Sequence, residues 1–354
     1  MRIVQLIDSL DAGGAERMAV NYANALSEKI TFSGIVATRK EGLLLDKIKN
    51  KSGYLFLNKK GAIDITSIFK LRKYCVQHKV DFIHAHSSSF FLAVLVKLTL
   101  LNVKIIWHDH YGNSEFLKQR KHFFLQLFSL LFYRIIVVNQ LLLDWNKEKM
   151  FCRKIYYLQN FPEIGTLKGT TKLEGIAGKK IVCLANIRPQ KNIEMLIEIA
   201  KKVCENDIDV TFHIVGKKFN DSYQKKIIQL IDNYKLEKKI FLYDSKNDIP
   251  NILKQSTIGI LTSSSEGLPV SILEYGLYKL PVIATNVGQI NEVILNEKTG
   301  ILIESSDVIT FANKLTYLIK NPQICSNFAD ELYSHVQNNF SKESVINHYL
   351  NLIN

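Results

Sequence analysis

Short apolar, β-branched runs alternate along the chain with stretches of helical periodicity. Residues 3–7 have strand composition, a loop with Gly13 and Gly14 follows, and residues 15–27 repeat apolar positions at helical spacing. The same reading predicts strands at 32–38, 82–85, 104–108 and 135–139, and helices at 63–77, 90–101 and 117–133. After a Pro- and Gly-containing stretch, 158–172, the rhythm restarts. Strands are expected at 180–185, 210–215, 240–243, 258–261 and 282–285, and helices at 193–205, 222–234, 248–255 and 270–278. Strand–helix alternation places an α/β chain on parallel sheets covered on both faces. Two doubly wound domains are therefore expected, with ligands taken at the C-terminal ends of their strands, in a cleft that the domains face.

Composition narrows the class. The 354 residues suit two domains, and 47% hydrophobic with 22% charged residues excludes a disordered or fibrous chain. Cys75, Cys152, Cys183, Cys204 and Cys325 form no C-x-x-C pair and are odd in number. They read as reduced core thiols of a cytoplasmic protein rather than a disulfide framework or zinc site. The N-terminal apolar run is short and broken by Asp8, unlike a signal peptide, and no apolar run is long enough to span a membrane. The net charge of +13 is uneven. Residues 1–165 hold 24 Lys and Arg against 13 Asp and Glu, a balance of +11; the remainder hold 22 against 20, a balance of +2. The N-terminal half thus has reason to meet anions such as lipid, lipid pyrophosphate or nucleic acid.

The chemistry concentrates at strand ends. In 263–274, Glu266 sits in a loop after a strand and Glu274 one turn into the next helix. Free N–H groups at that helix start suit a phosphate, whereas a carboxylate beside them suits neutral donors such as sugar hydroxyls. The competing reading is an acidic loop and a surface helix glutamate. In 185–192, Arg188 and Lys191 again follow a strand, where two cations can neutralise a departing diphosphate. A solvated cationic loop is the alternative.

Together these residues resemble the family 4 retaining glycosyltransferases of GT-B fold, over the whole chain. The E-x7-E motif, Glu266 to Glu274 around Gly267-Leu268-Pro269, carries most of the resemblance. It implies a nucleotide-sugar donor, UDP-linked by preference, no cofactor and no catalytic metal. Glu266 would then contact donor sugar hydroxyls, Glu274 the ribose, and the N–H groups of Gly267 and Leu268 the sugar or diphosphate. Arg188 and Lys191 look like the diphosphate pair, at closer spacing than the commoner R-x4-K. Gly13 and Gly14 resemble the family's N-terminal glycine loop, and Gly216 its V-G-x segment near the base. The resemblance also implies domains over 1–163 and 164–339, the first binding the acceptor, with a helix at about 340–354 returning to it.

Four histidines follow two strands, His84 and His86 in one, His108 and His110 in the other. The family's sugar-proximal histidine matches His108 best and His110 next, with Tyr111 and the loop 111–116 on the acceptor side. Residues i and i+2 of a strand share a face, so a metal is geometrically possible, but no further ligand cluster accompanies them. Asp207-Ile-Asp209 reads as a surface turn. Lys118, Arg120 and Lys121 lead into an aromatic stretch that is either a core helix or an interfacial helix on anionic lipid. The implied activity is transfer of a hexose or N-acetylhexosamine to a glycan or lipid-linked glycan in cell-surface polysaccharide synthesis, at the cytoplasmic face of the membrane. The rivals are a nucleotide-sugar epimerase of the same fold and a non-catalytic basic binding protein. No RNP-like or helix-turn-helix signal supports nucleic acid.

Overall fold

The computed structural model describes residues 1–112, 114–163 and 169–353; of Ser114 and Glu115 only the backbone is described. Position 113 of the expected acceptor loop and Gly165 of the expected linker lie outside the described residues. The chain divides into two compact units, Met1–Phe161 with Lys342–Asn354, and Pro162–Ser341.

The first unit contains β1 (Arg2–Ser9), α1 (Gly14–Ser27), β2 (Phe32–Lys40), β3 (Tyr54–Phe56), α2 (Ile65–Gln77), β4 (Phe82–His86), α3 (Phe90–Thr99), β5 (Lys104–Asp109), α4 (Phe123–Phe128), β6 (Phe132–Val137), α5 (Gln140–Lys149) and β7 (Ile155–Tyr157). Its sheet is parallel in the order β3-β2-β1-β4-β5-β6-β7. The second unit contains β8 (Lys180–Leu184), α6 (Ile193–Glu205), β9 (Thr211–Val215), α7 (Ser222–Asn233), β10 (Ile240–Tyr243), α8 (Ile249–Gln255), β11 (Ile258–Leu261), α9 (Val270–Leu277), β12 (Val282–Thr285), α10 (Ile290–Val293), β13 (Ile301–Ile303), α11 (Val308–Lys320) and α12 (Pro322–Asn339). Its sheet is also parallel, in the order β10-β9-β8-β11-β12-β13. The last helix, α13 (Lys342–Ile353), belongs to the first unit and packs on α1.

Every residue of β4, β8, β9, β11 and β12 is buried, as expected of strands covered on both faces. Helix starts are set by side chains that accept a free N–H: Asp64 from Ser67, Asn139 from Leu142, Asp221 from Gln224 and Asp307 from Thr310. In both sheets the strand order reverses beside the first strand of the unit, between β1 and β4 and between β8 and β11. The loops leaving those strands are where such a sheet takes ligands.

The expected helix over 117–133 is not formed. A 3-10 turn covers Ser114–Gln119, α4 spans only Phe123–Phe128, and another turn leads into β6 at Phe132. Arg120 is drawn inward to Asp109 just before α4, and Phe132 and Arg134 pair with β5. The reading of this stretch as a core helix fails as well: Phe123 is 71% exposed, Phe124 68% and Leu130 64%. The short edge strands β3 and β7, and α5, α10, β13, α11 and α12, were not anticipated. Asp207 takes a left-handed turn and Asp209 pairs with Lys179 and Lys239 at the surface, the expected fate of that D-x-D. All five cysteines are free. Among the described residues, no helix is long and apolar enough to cross a membrane.

Candidate active site

The loops after β8 and β11 lie on either side of the strand-order reversal of the second unit, and hydrogen bonds tie them together. Pro189–Lys191 form one 3-10 turn, and Asn192 adopts a left-handed conformation that starts α6. The Thr262 hydroxyl donates to the carbonyls of Lys191 and Asn192, and the Ser264 N–H to that of Gln190 at 2.9 Å. Lys191 Nζ reaches Glu266 at 2.5 Å, and the Ser263 hydroxyl donates to the same carboxylate oxygen at 2.6 Å. Glu266 is only 5% exposed, so the pair sits where Coulomb attraction is weakly screened. Two of the sequence-predicted residues are thereby in direct contact. Arg188 is exposed and lies over the Phe219 ring, 4.5 Å from its centroid; Lys217 Nζ lies 5.3 Å from the same centroid. Phe219 was missed; its signal is an aromatic residue just after a Gly-Lys-Lys that ends a strand.

Close backbone approach shapes the same corner. A Cβ on Gly216 would fall 2.2 Å from the Ala185 carbonyl oxygen, so only glycine lets the loop after β9 lie on the one after β8. A Cβ on Gly288 would fall 2.2 Å from the Glu266 carbonyl oxygen, and Gly288 has φ +58. Gln289 N–H donates to the Gly267 carbonyl at 3.0 Å, and the Thr285 hydroxyl to that of Ser263 at 2.6 Å. The segment after β12 thus braces the Glu266 loop from behind, a role invisible in the E-x7-E pattern. Leu268 is buried in the core, which withdraws its side chain from a ligand. Glu274 is partly exposed on α9, which starts after Pro269.

The Asp248 carboxylate, just before α8, is held by a dense set of donors. Burial raises its pKa, but donors from the Thr171 N–H and hydroxyl, the Thr170 N–H and Asn251 outweigh that and hold it at about 2. It anchors the segment at 170–171.

In the first unit, Gly13 precedes α1, where a Cβ would meet only the Glu16 carboxyl, and a Cβ on Gly14 would meet nothing. The fold itself does not demand either glycine, unlike Gly216. His84 and His86 on β4 and His108 on β5 are fully buried, and His110 just beyond is partly exposed. Of the two histidines that the resemblance points to, His108 is fully buried and His110 is partly exposed. Burial, reinforced by neighbouring histidines, lowers the pKa of His84, His86 and His108 well below the usual range. Burial also lowers His110 to about 4, with Asp109 opposing. All four are neutral at physiological pH. Asp109 accepts two bonds from Arg120, at 2.7 and 3.0 Å, one from Asn146 at 3.0 Å and one from the Tyr111 N–H at 3.2 Å. The Arg120 guanidinium also lies 4.3 Å from the Tyr111 ring and 4.5 Å from that of Trp145. Tyr111 is therefore held at both its backbone and its ring.

Residues 12–160 match the profile of Glycosyltransferase Family 4, and residues 174–335 that of Glycosyl transferases group 1. An Escherichia coli UDP-Gal:alpha-D-GlcNAc-diphosphoundecaprenol alpha-1,3-galactosyltransferase is 30% identical over 71% of this chain and 70% of its own length. The chain belongs to glycosyltransferase family 4.

A Staphylococcus aureus poly(ribitol-phosphate) alpha-N-acetylglucosaminyltransferase is 29% identical over 56% of this chain and 39% of its own length. Among solved structures, Anabaena HepE with UDP and glucose superposes with TM-score 0.80 at 14% identity, covering 100% of this chain and 99% of that one. A Staphylococcus aureus TarM variant with fondaparinux, alpha-GlcNAc-glycerol and UDP gives 0.77 at 17% identity, covering 100% of both. The fold of this family 4 member is GT-B and its activity is glycosyl transfer. The epimerase and the non-catalytic binding protein fall away with that membership.

Proposed function

We propose that this family 4 glycosyltransferase is retaining and metal-independent, and moves a hexose or N-acetylhexosamine from a UDP-sugar to a glycan or lipid-linked glycan during cell-surface polysaccharide synthesis. The Lys191–Glu266 pair carries the reading. It puts a cation for a diphosphate and a carboxylate for sugar hydroxyls together at the neighbouring ends of β8 and β11. The names of the Escherichia coli relative and of the Anabaena structure, which both include UDP, support the choice of nucleotide.

In the transfer, an acceptor hydroxyl oxygen bonds to the anomeric carbon on the face that the leaving group vacates. The bond from that carbon to the β-phosphate oxygen breaks, and its electron pair stays on the phosphate. The acceptor proton passes to that phosphate oxygen, so UDP leaves and the anomeric configuration is kept. Lys191 and Arg188 would offset the charge that grows on the diphosphate, Glu266 would orient the donor sugar, and Glu274 the ribose. The backbone N–H groups of Gly267 and Leu268 would face the diphosphate, with Gly216 near the base. His110 and Tyr111 would meet the acceptor side, and the loop with Gly13 and Gly14 would approach the donor.

Melting of the protein with UDP, GDP or ADP, each with and without EDTA, tests this reading. A ligand at ~100 times its Kd stabilises by ~2.7 kcal/mol. A UDP-selective shift unchanged by EDTA is expected; no shift with any nucleotide would overturn it.

The exposed Phe116, Phe123, Phe124, Leu127 and Leu130, beside exposed Lys118 and Lys121, favour a peripheral site on the cytoplasmic face of an anionic membrane. Co-sedimentation with anionic but not zwitterionic vesicles, lost in Phe123→Ser/Phe124→Ser, is expected; equal sedimentation with both would refute it.

A further inference from the structure

The histidines of β4 and β5 form two hydrogen-bonded chains. In one, the Tyr349 hydroxyl on α13 lies 3.1 Å from His84 Nδ1, and His84 Nε2 lies 3.2 Å from His108 Nδ1. It ends at His108 Nε2, which is buried without a partner. In the other, His86 Nε2 lies 2.8 Å from Gln5 Oε1, and His86 Nδ1 lies 2.9 Å from His110 Nε2. This chain starts at a fully buried side chain of β1 and ends at the one partly exposed imidazole of the group.

The two chains differ in one physical respect. A tyrosine hydroxyl can donate or accept, so the first has no fixed direction. Gln5 meets the second through its amide oxygen, with its Nε2 buried without a partner; an oxygen so placed only accepts, which gives that chain a direction. His86 Nε2 must carry the proton, which leaves Nδ1 bare to accept. His110 Nε2 must then donate, and His110 Nδ1 is left with its lone pair.

We infer that Gln5 and His86 are positioning residues that hold His110 in its Nε2–H form, presenting a bare Nδ1 to accept a hydrogen bond from a sugar hydroxyl. The neutrality of all four rings keeps this direction intact, because a cationic His86 would donate from both nitrogens. The identity of the hydroxyl rests on the glycosyl-transfer reading above; the tautomer does not. A metal is the competing occupant, since ligand atoms of His84, His86 and His108 lie within 4.8 Å of one another. Five of those six ring nitrogens already hydrogen-bond, and the group of three contains no carboxylate to offset a cation.

Long-range proton–nitrogen spectra of full-length protein labelled in histidine nitrogen would test the inference directly. For both His86 and His110, one bare-nitrogen and one N–H signal are expected, with the proton on Nε2. An Nδ1–H form of His110, or a single averaged position, would overturn the relay. In Gln5→Leu the two His110 signals should move toward an average; unchanged signals in a folded variant would also overturn it. If that variant fails to fold, the wild-type spectrum alone still decides. Zinc chloride should leave the ring nitrogens unshifted; stoichiometric shifts would establish the metal instead. With UDP-sugar and acceptor present, folded Gln5→Leu should lose kcat while KM for the donor stays. A fixed tautomer without any nucleotide-induced melting shift would refute the UDP-sugar reading and leave the relay standing.

Discussion

Gly288 offers the sharpest test of how the Glu266 loop is held. Replacing it with alanine would put a Cβ 2.2 Å from the Glu266 carbonyl oxygen and 2.8 Å from that of Gly267. A tolerable carbon–oxygen contact needs ~1 Å more, and both obstacles are backbone, so the loop must move by about that much. Overpacking costs ~1–3 kcal/mol, and an L-residue at φ +58 costs a further ~1–2, partly offset by ~0.4–1 from the stiffer unfolded chain. The net loss is ~2–4 kcal/mol. The larger consequence is functional, because a misplacement of ~1 Å in a reacting site costs about 100-fold in rate. Gly178 supplies the control. It lies in the same unit with φ +78, but a Cβ there would meet nothing within 4 Å. Gly178→Ala should therefore cost ~1 kcal/mol and leave turnover within about twofold of wild type. The assay is steady-state sugar transfer well below both melting temperatures, alongside thermal melts. A Gly288→Ala enzyme with near-wild-type kcat, or equal losses in both variants, would refute the bracing argument.

Other perturbations separate the roles of individual side chains. Glu266→Ala should lower kcat by about 100-fold or more while its melting temperature falls by only a few degrees; near-wild-type turnover would sink its assignment. Arg120→Leu strands the buried carboxylate of Asp109 and should destabilise the first unit by ~3–5 kcal/mol in urea titrations. For Asp248, a folded pKa of about 2 against an ordinary 3.8 gives stability that is full above pH ~4 and fades as pH falls through 2. Asp248→Ala should thus cost ~2 kcal/mol at pH 7, and about half that at pH 3. A wild-type–variant gap that stays constant from pH 7 to 3 would contradict this.

The second unit was the more legible in sequence. Residues 193–205, 240–243, 258–261 and 282–285 form the expected elements; the helix is a full 13 residues, and 282–285 is bounded by Pro281 and Asn286. The stretch 117–133 misled because an apolar run with aromatic periodicity does not reveal that Arg120 turns inward to a carboxylate eleven residues before it. β3 and β7 are three residues each and take their pairing from a neighbouring strand rather than from their own composition. At the site, strand-end placement located Arg188, Lys191 and Glu266, but no spacing rule could find Gly288, whose partner is the backbone 22 residues before it. Burial of His108 was equally hidden, because the Tyr22 ring that packs on it, and the Tyr349 ring that packs on neighbouring His84, come from helices far away in sequence.

The place of α13 has a consequence for how the protein is made. The first unit begins at the first residue, yet its last helix is translated only after all 180 residues of Pro162–Ser341. At ~5–20 residues per second that interval is ~10–40 s on the ribosome. Throughout it, Tyr22 and His84 lack the covering ring of Tyr349, so the face of α1 that α13 covers is bare in the nascent chain. Of the two units, the one that begins to emerge earlier is therefore the later to close, and the second can fold to completion while the first waits.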